Sequence, residues 1–389
     1  MELGSSDLRI LLFISFVVFS SPYIAKTTRL PILAVEIILG AIAGAFHIIT
    51  KTQAFELASH IGFCYLMFIA GLEVSLRDFT KLKKQELKQI FIFYVILYFL
   101  STMLALSLNL NLIIAIIIPA MSVGLISILF KEFDKTPKWL NFTMVYAALG
   151  ELITIILVTL VNSFSSSNNL NEVLISVFSI IFFLFAFMII YYICNAIFWW
   201  LPWLKEILMP DYDKAEKNVR LSLALWMLAV ALMLYFGFEI ALGAFLAGMF
   251  ISSFFGHKKD LEHKLSSLGQ PFLIPIFFVY VGLSIDFSLI NLKLLLLALG
   301  IVFFMALFRI ISSFVFYKEY KFQCILIALS SCMPLTLLIA IATLGQRLNL
   351  IDNVLYLALV LASLLEALIF MWLIPKISLL FETPNKKIN

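Results

Sequence analysis

The sequence is poor in charged residues and in cysteine. Only 13% of its 389 residues are Asp, Glu, Lys or Arg, whereas 63% are hydrophobic, and this balance excludes a soluble domain of useful size. The four cysteines show no CxxC spacing and no histidine neighbours, so we expect neither a disulfide framework nor a metal-cluster site. The alternating ten-residue segments of a membrane barrel are also absent. The class that remains is a polytopic helical membrane protein.

The hydrophobic runs also lack the motifs of membrane-embedded enzymes. HExxH, GxSxG and paired aspartates, which would supply metal ligands or a nucleophile, do not occur in them, so we do not expect an enzyme. The net charge of +4 needs no nucleic-acid partner, because membrane topology and anionic lipid account for the basic loops. The lipid bilayer is the expected partner, and no cofactor is expected.

Long hydrophobic runs fill almost the whole chain. A bilayer core of roughly 30 Å needs about 20 apolar residues in one helix. The sequence predicts thirteen membrane-spanning helices, near residues 7–24, 31–49, 54–73, 88–108, 112–130, 139–162, 171–199, 219–236, 238–255, 267–285, 290–316, 321–345 and 352–380.

The basic residues are distributed unevenly between the two sets of predicted loops. Most of the 27 lysines and arginines fall in one set, whereas the opposite set holds only Arg9, Lys51, Lys293 and Arg347. Because cytoplasmic loops carry the excess of Lys and Arg, we expect the N-terminus outside and the C-terminus in the cytoplasm.

The two halves of the chain resemble each other. Pro119 is followed 32 residues later by Glu151, and Pro334 is followed at the same spacing by Glu366. Residues 36–44 also resemble residues 239–248, and 70–76 resemble 281–287. These offsets predict two inverted six-helix repeats, residues 1–165 and 206–389, joined by a linker helix at 166–205. Chance similarity between leucine-rich helices is the alternative.

Each of the two prolines lies in the middle of a predicted span. Proline removes an amide donor and clashes with the carbonyl one turn back, and carbonyls freed at membrane depth must face protein or water. We therefore predict two crossed discontinuous helices whose breaks help to coordinate a dehydrated cation; two simple kinks are the alternative. The predicted break residues are Pro119, Met121, Val123, Cys332, Pro334 and Thr336, with Ser122 and Ser331 as further oxygen donors.

Three charged residues lie deep in predicted spans. Glu151 is the candidate ion-binding residue, because one carboxylate for which a cation and a proton compete is the simplest antiport device. Thr154, in the same span, is a further candidate. Arg309 is the only basic residue deep in a span and supplies a fixed positive charge, unless it reaches the cytoplasmic face. Glu366 is either the partner of Arg309 or a packing residue.

Four motifs, taken together, resemble the monovalent cation:proton antiporter-2 family of the sodium/hydrogen exchanger superfamily. They are residues 31–40, 71–77, 243–248 and 275–286, in that order along the chain. The resemblance implies a homodimer in the bacterial inner membrane, with a moving six-helix core that holds the crossed breaks. The paired acid–amide or acid–acid site of the family falls on Gly150-Glu151, so its first position is empty here. The basic residue of the family's core falls on Arg309.

The resemblance implies exchange of a monovalent cation for H+, with Glu151 as the cation ligand. Relatives that move two protons resemble one another in having two carboxylates and a lysine, whereas this chain has one carboxylate and an arginine. We therefore expect electroneutral exchange. We also expect Na+ rather than K+, since the nucleotide-binding domain of potassium-efflux relatives is absent from this sequence. A sodium-coupled symporter of an organic solute with similar architecture is the alternative.

Overall fold

In the computed structural model, most of the residues that the structure describes lie in helices. The described residues are 5–28, 30–76, 79, 82–111, 113–129, 133, 137–166, 170–208, 215–255, 259–285 and 291–382. The α-helices of the first half are α1 (Ser5–Thr28), α2 (Ile32–Ala45), α3 (Gln53–Leu72), α4 (Lys84–Ser107), α5 (Ile114–Ile117), α6 (Gly124–Leu129), α7 (Lys138–Ser166), α8 (Leu170–Trp200) and α9 (Pro202–Leu208).

The second half continues in the same way. Its helices are α10 (Lys217–Phe236), α11 (Ile240–Phe255), α12 (Lys259–Leu268), α13 (Ile274–Leu283), α14 (Leu292–Ser313), α15 (Tyr317–Tyr320), α16 (Cys324–Ser330), α17 (Leu335–Arg347) and α18 (Asn353–Glu382). A π-helical turn, Gly269–Leu273, joins α12 to α13, and two short 3-10 turns flank α15.

The predicted class, an all-helical polytopic membrane protein, is confirmed. Nine helical stretches in the described part of the chain are long and apolar enough to cross a membrane, and three shorter apolar helices accompany them, namely α2, α11 and α17. The predicted count of thirteen is not confirmed. The tenth predicted span, residues 267–285, also begins earlier than expected. The polar helix α12 leads into it before the apolar helix α13 begins. Arg77, Asp286 and Phe287, which end two of the motifs, lie outside the described residues.

The chain forms two compact units that alternate along the sequence. The first contains Met1–Glu56, Lys81–Thr154 and Phe278–Asn389, and the second contains Leu57–Thr80 and Ile155–Phe277. Each unit therefore draws segments from both predicted repeats. The predicted repeat boundaries at 165 and 206 remain a prediction.

Within each unit, two helices cross at glycines that belong to the repeated motifs. In the first unit, an added Cβ at Gly282 of α13 would collide with the backbone oxygen of Ile37 in α2. In the second unit, a Cβ at Gly71 of α3 would collide with the backbone oxygen of Phe245 in α11. Such close approach of two backbones requires residues without a side chain, as at the interfaces of other membrane helices. Packing therefore explains these motifs without an ion-binding role.

Both predicted interruptions are present in the first unit. Helix α5 ends at Ile117, and the chain passes through Pro119 to Val123 without helical structure before α6 begins. The second interruption follows Ser330, and Pro334 immediately precedes the first residue of α17. Proline explains both breaks, because it cannot donate the amide hydrogen bond that would continue a helix. The alternative of two simple kinks is therefore wrong.

Candidate cation-binding site

Glu151 is a completely buried carboxylate that binds to the first break. It lies on α7 and has no exposed surface. The backbone N–H of Val123 donates to Oε2 at 2.9 Å, and the hydroxyl of Ser122 donates to Oε1 at 3.3 Å. These donors come from the non-helical segment that precedes α6, where the amide of Val123 donates to the carboxylate instead of to a helical carbonyl. The break thus exposes a backbone donor, and Glu151 accepts from it.

The second break contributes a hydroxyl to the same place. Thr336, in the first turn of α17, has its Oγ1 atom 2.9 Å from Ser122 Oγ. Ser122 has a single hydroxyl hydrogen, which it donates to Glu151, so Thr336 donates to Ser122. A continuous hydrogen-bond chain therefore runs from the second break through the first break to the carboxylate. All three side chains are buried.

Other predicted oxygen and sulfur donors form hydrogen bonds with carbonyls three or four residues earlier in the chain. Ser331 Oγ donates to the carbonyl of Ala328 at 2.7 Å, and Thr154 Oγ1 donates to the carbonyl of Gly150 at 2.7 Å. Cys332 Sγ contacts the same Ala328 oxygen at 3.2 Å. The structure therefore brings Ser122 and Thr336 to Glu151 but gives these three residues local partners. Their roles in ion binding remain predictions.

Arg309 is completely buried in α14 and reaches the first break. Its Nη1 donates to the carbonyl of Met305 at 3.1 Å, one turn earlier, and its Nη2 donates to the carbonyl of Ala120. Ala120 precedes Met121 in the break, so the guanidinium satisfies a carbonyl that the interruption has freed. A fixed positive charge thus lies at the broken segment, as expected for a residue that supports the site.

Glu366 lies on α18, away from the hydrogen bonds that connect Glu151 to the first break. It is completely buried, and neither carboxylate oxygen has a hydrogen-bond partner in the described part of the chain. Arg309 is close enough to act on it electrostatically, but its donors with a hydrogen bond are directed at backbone carbonyls. The predicted pairing of Glu366 with Arg309 therefore remains a prediction.

Two tyrosines at the site were not predicted from the sequence. The Tyr94 hydroxyl of α4 donates to the backbone carbonyl of Tyr146 in α7, and the Tyr146 hydroxyl donates to the carbonyl of Ile327 in α16 at 2.9 Å. They connect the helix that carries Glu151 to the helices on either side. The sequence offered only a general indication of their role, namely that a buried tyrosine hydroxyl usually has a hydrogen-bond partner.

The arrangement suits a small monovalent cation. One carboxylate and two hydroxyls provide oxygen ligands at a place where both helices are interrupted, which matches the hard-cation preference for oxygen. The described residues contain no group of three or more His, Cys, Asp or Glu that could hold a metal ion.

Comparison with known proteins agrees with this geometry. The family profile described as sodium/hydrogen exchanger, transmembrane, matches residues 13–375. YjbQ of Bacillus subtilis (strain 168), named as a candidate Na+/H+ antiporter, is 26% identical over 403 aligned residues, which cover 97% of this chain and 64% of that protein. The chain thus spans slightly less than two thirds of that relative. A Na+/H+ antiporter of Enterococcus hirae is 27% identical and covers 80% of this chain and 82% of its own length.

A solved structure supports the fold independently. The sodium proton antiporter MjNhaP1 from Methanocaldococcus jannaschii, at pH 8, matches with a TM-score of 0.61 over 94% of this chain and 96% of that chain, at 16% identity. At this identity the likeness shows the fold alone. The alternative of a solute symporter finds no support among these matches. Since the profile covers almost the whole sequence, the chain belongs to the sodium/hydrogen exchanger family.

Proposed function

We propose that this chain is a secondary transporter that exchanges Na+ for H+ across the membrane by alternating access. The observation that carries the proposal is the buried carboxylate of Glu151, which binds to the first break and is connected through Ser122 to Thr336 of the second. The names of the relatives from B. subtilis and E. hirae support Na+ and H+ as the exchanged ions. A relative from Bacillus cereus named as a Na+/H+-K+ antiporter keeps K+ as a second candidate.

Exchange follows from competition for one carboxylate. A proton and a dehydrated cation each neutralise Glu151 and therefore exclude each other. When the cation is bound, the Ser122 hydroxyl turns a lone pair to it and donates its hydrogen to Thr336, so that Thr336 holds Ser122 in place. Either occupant removes the cost of a buried charge, so the neutral site can change its access from one side of the membrane to the other.

We further propose that the exchange is electroneutral. Glu151 is preceded by Gly150, which has no side chain to carry a second proton, and the guanidinium of Arg309 stays protonated throughout the cycle. One positive charge then enters for each one that leaves. The test is Na+-driven proton flux in proteoliposomes with a potassium diffusion potential of either sign. The rate should be independent of that potential, and a net current would contradict this stoichiometry.

The environment and assembly are part of the same proposal. We propose a bacterial inner membrane because the motifs resemble a family found there. We propose an N-terminus outside and a C-terminus in the cytoplasm on the distribution of the lysines and arginines. We propose a homodimer because the motifs resemble a family that forms dimers. Cross-linking in native membranes and cysteine labelling from each side would test both statements.

The central experiment replaces Glu151 with glutamine. Glu151→Gln keeps the volume and the hydrogen-bond acceptor but removes the charge that a cation requires, so Na+-dependent dissipation of a preset pH gradient should be abolished. Glu36→Gln is the matched control, because Glu36 is also a buried glutamate, on α2, and its carboxylate accepts from Ser21 at 3.4 Å. The control should exchange normally. Exchange by Glu151→Gln at the wild-type rate would refute the proposal.

The same assay separates antiport from symport. No organic solute is added, so dissipation of the gradient by Na+ or K+ alone requires exchange against protons. A transporter that needed an organic anion would leave the gradient intact under these conditions.

A further inference from the structure

The position before Glu151 lacks a side chain, and a tyrosine from another helix fills the space. A Cβ added at Gly150 would collide with the hydroxyl oxygen of Tyr94 and would lie 3.1 Å from Met121 Sδ and 3.2 Å from Tyr94 Cε1. The phenol cannot move away easily, because its hydroxyl donates to the carbonyl of Tyr146 and its ring packs edge-on against Phe93 at 5.3 Å. Tyrosine at 94 therefore requires glycine at 150.

Tyr94 contacts both halves of the cation site. On one side, its hydroxyl oxygen lies 3.7 Å from Sδ of Met121, the residue that precedes Ser122 in the first break. On the other side, it occupies the space above Gly150, the residue that precedes Glu151 on α7. Ser122 and Val123 donate to Glu151 from the segment that Met121 begins. The phenol thus lies against both of the segments whose spacing determines the contacts of the carboxylate.

We propose that Tyr94 is a positioning residue for the cation site, which it shapes by holding Met121 of the break against α7 and by occupying the space of a side chain at Gly150. The inference rests on the proposed role of Glu151 as the cation ligand. Tyr94 acts through Met121 and Gly150, and its own hydrogen is used by Tyr146, so it sets the geometry of the ligands without donating to the carboxylate. Its loss should weaken cation binding while leaving the rate of the conformational cycle intact.

The first test is Tyr94→Phe in reconstituted full-length protein. The apparent KM for Na+ should rise about 3- to 10-fold, equivalent to one neutral hydrogen bond, whereas the maximal rate should stay within about twofold. Tyr65→Phe is the matched control, because the hydroxyl of Tyr65 donates to the carbonyl of Leu265 at 2.9 Å rather than to a site residue. The control should lose comparable thermal stability without a change in KM. An unchanged KM in a folded Tyr94→Phe protein would overturn the inference.

The second test uses the steric conflict between a side chain at position 150 and the hydroxyl of Tyr94. Gly150→Ala should lower Na+/H+ exchange at least tenfold with Tyr94 present, and the added Tyr94→Phe change should restore at least half of the rate of Tyr94→Phe alone. Gly300→Ala is the control, because a Cβ at Gly300 of α14 would meet no atom within 4 Å. Wild-type KM and rate in Gly150→Ala would overturn the inference even if Tyr94→Phe could not be purified.

These results are distinguishable from a failure of the proposed function. If Glu151→Gln still exchanges ions, then the cation site itself has been assigned wrongly. If Glu151→Gln is inactive while Tyr94→Phe and Gly150→Ala both behave like the wild type, then only the positioning role of Tyr94 is refuted.

Discussion

The hydrogen-bond chain from Thr336 through Ser122 to Glu151 predicts strong non-additivity between the first two residues. Ser122→Ala removes one of the two donors to the carboxylate, the oxygen that turns to the bound cation, and the hydroxyl partner of Thr336. Thr336→Val removes only the outer link and keeps the shape of the side chain. Once Ser122 is absent, the hydroxyl of Thr336 has lost its partner at 2.9 Å, so its removal should cost almost nothing more.

The magnitudes follow from the two kinds of bond. Ser122→Ala removes an oxygen that contacts the bound cation, and we take this contact to contribute as much as a hydrogen bond to a charged group, about 1.5–3 kcal/mol, so the apparent KM for Na+ should rise about 10- to 150-fold. The bond between Thr336 and Ser122 joins two hydroxyls inside the membrane, where about 0.6–1.7 kcal/mol is typical. Thr336→Val should therefore raise the apparent KM for Na+ about 3- to 20-fold. The double variant should resemble Ser122→Ala alone rather than the product of the two effects.

The assay is a double-mutant cycle on the apparent KM for Na+ in proteoliposomes, with a pH-sensitive dye inside. Thr343→Val serves as a control on the same helix, since the hydroxyl of Thr343 donates to the carbonyl of Ile339 one turn earlier, at 2.8 Å. This control should leave the KM unchanged. If the effects of the two single substitutions multiply in full, then Thr336 and Ser122 act independently and the hydrogen-bond chain does not operate in the cation-binding state.

Three further predictions concern charge, pH and packing. Arg309→Ala should lower the free energy of unfolding by about 1.5–3 kcal/mol, because the carbonyl of Ala120 loses a charged donor, and an unchanged melting curve in detergent would contradict this. The apparent KM for Na+ should rise about tenfold per unit fall in pH at the acid side, because one proton competes for Glu151, whereas a hundredfold rise would require two coupled protons. Gly282→Val should abolish folded protein in size-exclusion chromatography, since its Cβ would collide with the backbone of Ile37; a monodisperse variant would show that α2 and α13 can separate.

The helix breaks could be predicted from the sequence because their cause is local. Pro119 and Pro334 each lack an amide hydrogen, and no packing elsewhere in the chain restores it. That Glu151 has polar partners could be predicted for a similar reason, since a carboxylate deep in an apolar span requires a partner whatever the surrounding fold is. Residue type and depth in the span were sufficient for these features.

The contacts of the site depend on which helices pack together, and the sequence does not contain that information in readable form. Ser331 and Thr154 have the same hydroxyl chemistry as Ser122 and Thr336, but each donates to a carbonyl three or four residues earlier, Ser331 from the end of α16 and Thr154 from within α7. Arg309 was one of two candidate explanations for Glu366, as its partner, and this pairing remains a prediction. The guanidinium donates to the carbonyl of Ala120, because a freed carbonyl in the break also needs a donor.

The two helix breaks occur at equivalent prolines, Pro119 and Pro334, but on opposite sides of them. This difference explains why Glu151 binds to a break whereas Glu366, among the described residues, does not. In the first repeat, the unwound segment follows Pro119, so the amide of Val123 is available for Glu151. In the second repeat, the unwound segment precedes Pro334, and the helix resumes at once.

The equivalent of Val123, 215 residues later, is therefore a helical residue. It is Leu338, whose amide donates to the carbonyl of Pro334 at 2.7 Å, and the equivalent of Ser122 is Leu337, which has no hydroxyl. Glu366 thus has neither of the two donors that bind Glu151. The sequence symmetry locates both breaks near each other, but the placement of the unwound residues gives a carboxylate with hydrogen-bond donors to only one half. A single exchangeable site is the expected consequence.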